Sequence, residues 1–225
     1  MPYRIVFFAQ DQIYHVFNRG VAKQTIFTST KDYVRFLDLV DYYRFADIPM
    51  SFSHLNKLSI EDRRDIINEL RQRHPLKIEI LAFCLMPNHF HLLLKQISSN
   101  GISAFMSNVQ NGYAKYFNIK NDRSGPLFQS MFKAVRVESD EQLLHVSRYI
   151  HLNPSTSYLV DGKGLLHYRW SSLPCYISEI FGEYSFVQSE TILGFMRNKD
   201  AYKEFILNNI EYQRELDKIK HLVLE

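Results

Sequence analysis

Two cysteines in 225 residues, Cys84 and Cys175, are too few and too far apart in sequence for a disulfide framework. They read as reduced, buried thiols, which fits a cytoplasmic setting. Charge of one sign is equally scarce: the net charge is +3, with a pI near 8.7. That balance permits a nucleic-acid partner without arguing for one, because a local patch matters more than the total. No apolar run approaches the length of a membrane span. The opening "MPYRIVFFAQDQ" lacks the apolar core and small-residue cleavage site of a secretory signal. The expectation is a soluble intracellular protein with no membrane partner. Internal repeats and low-complexity tracts are also missing. Hydrophobic residues, by contrast, make up 46% of the chain, with 17 Phe and 14 Tyr. Such a chain can bury a real core, and its aromatics suit a sheet.

Periodicity gives the elements. "QIYHVFNRG" (12–20) alternates and ends in a turn, as a strand does. "STKDYVRFLDLVDYYRF" (29–45) carries Tyr33, Phe36, Leu37 and Val40 at helical spacing behind a Ser/Thr cap. Residues 50–76 are polar and read as a helical surface insertion, opening on a Ser59-x-x-Asp62 cap. "KIEILAFCLM" (77–86) and "HFHLLLKQ" (89–96) form two strands around a Pro87-Asn88 turn. A helix over 101–120, a strand over 127–138 and a capped helix over 139–154, stopped by Pro154, complete the series. Residues 187–220 read as a polar helical tail. This order implies an α+β fold, an antiparallel sheet with helices on one face. The main domain spans 1–180, and a helical C-terminal extension covers 181–225.

The chemistry concentrates in "MPNHFH" (86–91). Residues two apart on a strand share a face, so His89 and His91 project together while Phe90, Leu92 and Leu94 face the core. Two neutral imidazoles so placed suit a divalent metal; they also suit two satisfied histidines on a half-exposed sheet face. Helical geometry aligns His145, Tyr149 and Asn153 in one stripe on the 139–154 helix, beside Leu143, Val146 and Ile150. Asn153 can offer a carbonyl oxygen to a hard cation, and Tyr149 a nucleophilic oxygen. Equally, Tyr149 can be a border aromatic and Asn153 a helix end. Spacing alone leaves both open.

From about Tyr14 to Trp170 the chain resembles the single-tyrosine HUH transposases of bacterial insertion sequences, and among them the REP-associated tyrosine transposases. The resemblance rests on "YHVFNRG", "MPNHFHLLL", "GPLFQS", "SRYIHLNP" and "WSS", five pieces in order. It implies a ferredoxin-like sheet, in agreement with the element order. It implies that His89, His91 and Asn153 bind a divalent metal, Mg²⁺ or Mn²⁺, and that Tyr149 is the catalytic tyrosine. The implied reaction is nicking and rejoining of single-stranded DNA with an imperfect hairpin, through a 5′-phosphotyrosine. His145 is a candidate helper, and Tyr113 and Tyr116 are rival nucleophiles. One departure stands out: relatives commonly have arginine where this chain has Met131, which puts a phosphate contact and the activity in doubt.

A group of basic residues is expected to hold the DNA phosphates: Arg19, Lys23, Lys115, Lys120, Arg123, Lys133, Arg136 and Arg148. A DNA role implies a cytoplasmic, nucleoid-associated protein acting as a monomer or homodimer. Two other readings remain. One is a non-catalytic DNA- or RNA-binding descendant of the same family, which Met131 favours. The other is a small-molecule His-x-His metalloenzyme on a β-barrel, which eight glycines and several long helical patterns disfavour.

Overall fold

The computed structural model describes residues 7–178 and 184–211; the remainder of the 181–225 extension lies outside the described residues. Four strands form one antiparallel sheet: β1 (Ile13–Arg19), β2 (Ile78–Met86), β3 (His89–Gln96) and β4 (Lys133–Val137), in the order β2-β3-β1-β4. Helix α1 (Thr30–Tyr43) follows β1, and α4 (Gly101–Lys120) follows β3. The core order is therefore β-α-β-β-α-β, the ferredoxin-like pattern that the resemblance implied. Between α1 and β2 lie α2 (Phe52–Leu55) and α3 (Ile60–Arg73). Helix α3 is largely exposed and opens on Ser59, whose Oγ accepts from Asp62 N at 3.1 Å. The insertion is not wholly superficial, since Phe52, Leu55 and Leu70 are buried.

Helices cover both faces of the sheet, not one. Strand alternation sends Tyr14, Val16, Phe90, Leu92 and Leu94 into a core shared with α1 and α4. The other face of β2 and β3, including Leu81, Cys84 and Leu93, packs under α5 (Asp140–Thr156), a bulge at Ile80/Ala82 shifting the alternation of β2. Short helices α6 (Gly162–Leu165), α7 (Leu173–Ile177) and α8 (Glu190–Leu193), with α9 (Lys199–Leu207), close over α5. The described part of the tail is thus no polar appendage: Ile192, Tyr202 and Ile206 are fully buried. Pro154 does not stop α5, which runs on to Thr156. Proline removes one donor, but Ser157 N still reaches the Asn153 carbonyl at 3.0 Å, and Tyr158 turns the chain away at φ 56°.

A buried polar chain fixes α5 on the sheet. His151 Nδ1 lies 2.8 Å from the Tyr202 hydroxyl oxygen, and Tyr202 donates to Ser147 Oγ at 3.1 Å. On the other ring edge, Ser172 Oγ lies 2.8 Å from His151 Nε2 and 2.8 Å from Phe83 N of β2. Burial pushes the His151 pKa down to about 3, so the ring is neutral, with one donor and one acceptor nitrogen, and both are used.

At the start of β1's return, Gly20 is required by close approach: a Cβ there would sit 2.4 Å from the Gln24 carbonyl oxygen. That turn brings Gly20 N to the Asn88 carbonyl at 2.9 Å, locking β1 to the β2–β3 hairpin. No described helix is long and apolar enough to cross a membrane.

On the α1–α4 face, Asp32 is fully buried at the start of α1. Its carboxylate accepts from Thr28 N and Oγ1 and Ser29 N, and from Tyr116 and Lys120 Nζ, the last at 2.7 Å. Burial raises its pKa, but the hydrogen bonds from Lys120, Thr28 and Tyr116 outweigh it and hold it at about 2. A carboxylate depressed on folding stabilises above its unfolded pKa near 4 and loses that contribution as pH falls through 2. Asp32→Asn should cost about 2 kcal/mol at pH 7, a figure reduced for the partial exposure of Lys120. Urea melts at pH 7 and pH 3 check this; an equal deficit at both pH values would show that the charge is not the cause.

Candidate functional site

The site forms where β1, β3 and α5 meet. Antiparallel pairing sets Phe17 opposite His91 and Arg19 opposite His89, and on β4 Lys133 opposite Phe17. Directly opposed residues share a face, so these five side chains, with His15, point toward α5. The helix brings Tyr149 and Asn153 over them. The result is a cleft of about 380 Å³ lined by Phe17, Asn18, Arg19, His89, His91, Gln129, Lys133, Tyr149, Asn153 and Ser157. Two cations and no carboxylate line it.

The histidine face is covered only in part: His91 is buried, while His15, Phe17 and His89 are partly exposed. His91 is 5% exposed because α5 lies across it, and Asn153, on the underside of that helix, is 4% exposed. The Tyr149 ring meets His91 edge-on at 5.5 Å and His15 at 5.8 Å between centroids. His89 and His91 stand at right angles, 5.1 Å apart. Burial, helped by the charge of Arg19, lowers the His89 pKa to about 4, so the ring is neutral at physiological pH. Its Nδ1 lies 2.6 Å from Asn88 Oδ1. A neutral ring donating there keeps the Nε2 lone pair for another partner. His91 Nδ1 lies 2.9 Å from His15 Nε2. Asn153 Nδ2 donates to the Tyr149 carbonyl at 2.9 Å, and the Asn153 side chain also hydrogen-bonds His89.

His15 was missed by the sequence reading. Alternation in "IYHVFNR" does place His15, Phe17 and Arg19 on one face, but only the β1–β3 register shows that this face is the histidine face. Gln129 joins the cleft because its backbone N bonds the Arg19 carbonyl at 2.9 Å.

The expected basic group does not gather at one place. Arg19 and Lys133 line the cleft, and Lys23 lies at the hairpin corner, its carbonyl accepting from Asn88 Nδ2. Lys115 and Lys120 sit on α4, across the sheet, and Lys120 is paired with Asp32. Arg123 donates to the Pro126 carbonyl near the end of α4. Arg136 has the wrong strand parity, opposing Tyr14 and donating to Gln12 Oε1. Arg148 is buried, its guanidinium 4.5 Å from the Phe205 ring centre. His145 is held on the flank of α5 by Arg148 at 2.7 Å and Glu141 at 3.7 Å. Tyr113 and Tyr116 are on the far face, bonded to the Ile26 carbonyl and to Asp32. Met131 lines a different depression with Phe7, Phe8 and Phe132.

Sequence comparison matches residues 52–153 to the family described as IS200-like transposases. That stretch contains the two histidines, Tyr149 and Asn153, and begins after His15 and Arg19. No curated protein matches the chain. Among solved structures, the chain is similar to a REP-associated tyrosine transposase whose structure was determined bound to a REP hairpin. The identity is 13%, the TM-score 0.51, and the match covers 84% of this chain and 96% of the other. At that identity the likeness is one of fold. Residues 52–153 thus match the sequence pattern of the IS200-like transposases, and the fold is similar to that of a REP-associated tyrosine transposase.

Proposed function

We propose that this protein nicks and rejoins single-stranded DNA carrying a hairpin, with Tyr149 as nucleophile and His89, His91 and Asn153 as ligands of a divalent Mg²⁺ or Mn²⁺ ion. One observation carries the reading most directly. A half-buried tyrosine stands edge-on to His91, beside a neutral His89, in a cleft lined by two cations and no carboxylate. Such a lining favours a phosphate, and the family match supports a transposase-like role on DNA.

The donor set fits the ion. Both imidazoles have their Nδ1 engaged, by Asn88 and by His15, an arrangement that orients the ring and raises the basicity of the remaining nitrogen. Asn153, whose side chain bonds the Tyr149 carbonyl and His89, would exchange the His89 contact for the ion. The set is uncharged. Among the described residues no group of three His, Cys, Asp or Glu side chains forms a metal site, so an ion held here relies on substrate phosphate as a further ligand. When bound, it would polarise that phosphate and offset charge on its oxygens.

The chain's own residues do the rest. Arg19 and Lys133 orient the phosphodiester. Tyr149 loses its proton, its oxygen forms a bond to phosphorus, and the bond from phosphorus to the 3′-oxygen breaks. The 3′-oxygen takes up a proton and leaves as a hydroxyl. The 5′-phosphotyrosine conserves the bond, so attack by a 3′-hydroxyl rejoins strands without a nucleotide cofactor. Packing of Tyr149 against His15 and His91 restricts the ring to one approach. A binding-only descendant predicts the same cleft without turnover, and the adduct assay separates the two.

Tyr149→Phe deletes one oxygen and keeps the ring contacts. Hairpin and Mn²⁺ binding should persist while the covalent protein–DNA adduct disappears. Denaturing gels with a labelled single-stranded hairpin and Mn²⁺ check this, and Tyr113→Phe and Tyr116→Phe should still form adduct. An adduct surviving Tyr149→Phe refutes the assignment.

His89→Ala and His91→Ala should abolish cleavage. His15→Phe, which removes the partner of His91 Nδ1, should weaken Mn²⁺ binding by about 10- to 100-fold. His15→Gln, which can still hydrogen-bond, should lose less. Titration of Mn²⁺ by electron paramagnetic resonance reads this without turnover; equal affinities for both variants and wild type would remove His15 from the metal site's support.

Lys133→Glu should lower DNA affinity across sequences and reduce the slope of log affinity on log salt by about 1 or more. Arg136→Glu, on the wrong face, should do much less. Anisotropy titrations between 50 and 300 mM salt, taken as a working range of roughly the span over which phosphate contacts are lost, distinguish them.

A further inference from the structure

Across the sheet from Tyr149, α1, α2 and α4 enclose a larger cleft of about 590 Å³, within the ~300–1,000 Å³ range of small-ligand sites. It is walled by aromatic and aliphatic side chains and carries no carboxylate. The Arg35 guanidinium lies 4.5 Å from the centre of the Phe52 ring and 5.3 Å from that of Tyr116. Its Nε is shielded from solvent and has no hydrogen-bond partner. Lys115 stands at the rim on α4, with the amides of Asn108 and Asn111 beside it. Lys120 also lines the cleft, but its charge is matched by Asp32; Asp38 lies near enough to Arg35 to offset part of that charge. The remaining balance is positive.

These features describe a flat, partly polar, anionic ligand. Aromatic rings and a guanidinium plane accept a stacked ring, paired amides suit the donor and acceptor edges of a base, and Lys115 and Arg35 suit a phosphate. A second depression, lined by Phe7, Phe8, Ser103, Ser107 and Gln110, meets this one at Asn111. Phe7 is 91% exposed. The ligand surface therefore continues along α4 beyond the space of one nucleotide.

We propose that this cleft binds an unpaired nucleotide of single-stranded DNA, with its base against Tyr116 and Arg35, the latter backed by Phe52, and its phosphate at Lys115. The proposal rests on the DNA reading above and adds a second strand-binding site on the opposite side of the sheet. It anchors the strand away from the phosphate that Tyr149 attacks.

The test uses the full chain and a twelve-nucleotide oligo-dT containing 5-iododeoxyuridine. Irradiation should cross-link a peptide containing Phe52 or Tyr116, identified by mass spectrometry. Lys115→Glu and Ile119→Glu alter exposed positions at the cleft, Ile119 being 72% exposed, so the fold should survive; circular dichroism checks it. Each should raise the Kd for the oligonucleotide about tenfold in anisotropy titrations. Unchanged Kd values in both variants, with cross-links confined to the Tyr149 cleft, would overturn the proposal. If free dTMP protects the same peptides as well as the oligonucleotide does at equal phosphate concentration, the ligand is a free nucleotide and the strand proposal is wrong. Neither readout requires cleavage, so loss of the Tyr149 assignment would leave this result standing.

Discussion

The satisfied, neutral His151 at the centre of α5 is the interaction on which the site depends. Its two ring nitrogens join the helix to Tyr202 of α9 on one side and, through Ser172, to β2 on the other. A buried histidine with either nitrogen unpaired would cost on the order of 1–3 kcal/mol, so the network tolerates only one placement of the helix. That placement decides where Tyr149 and Asn153, on either side of His151 in sequence, come to rest. The C-terminal helices thus act on the cleft without touching it.

Beneath α5, strand pairing supplies the second half of the geometry. A one-residue slip between β1 and β3 would turn His15, Phe17 and Arg19 into the α1–α4 core and bring Tyr14, Val16 and Asn18 out. Burial of Tyr14 and Val16, both fully inaccessible, opposes that slip. The same apolar pattern that builds the core therefore assembles the polar cleft, with no extra device. Its charge follows: Arg19 and Lys133 arrive on the histidine face by parity alone, and burial keeps His89 neutral beside them.

The two faces of the sheet divide the chemistry. On one, a tyrosine meets two histidines and an amide. On the other, buried Asp32 ties α1 to Lys120 and Tyr116 of α4, holding open the walls of a larger aromatic cleft. Lysines counted together in the sequence end on opposite sides of the molecule, and one of them is a structural counter-ion.

Much of this was legible in residues alone. Alternation in β1 and β3, the Pro87-Asn88 hairpin and the helical spacing of α1, α4 and α5 settle the element types, because each records burial of one face at a period of 2.0 or 3.6. That His89 and His91 share a face, opposite Phe90 and Leu92, follows from the same rule. Tertiary structure decided what local periodicity cannot encode: which strands are neighbours, in what register, and which helix covers which face. Those choices are set by long-range packing of side chains far apart in sequence. For that reason His15 and Lys133 entered the cleft unannounced or on parity, while Lys115, Lys120, Arg136 and Arg148 left it, and a tail read as polar became the clamp that seats Tyr149.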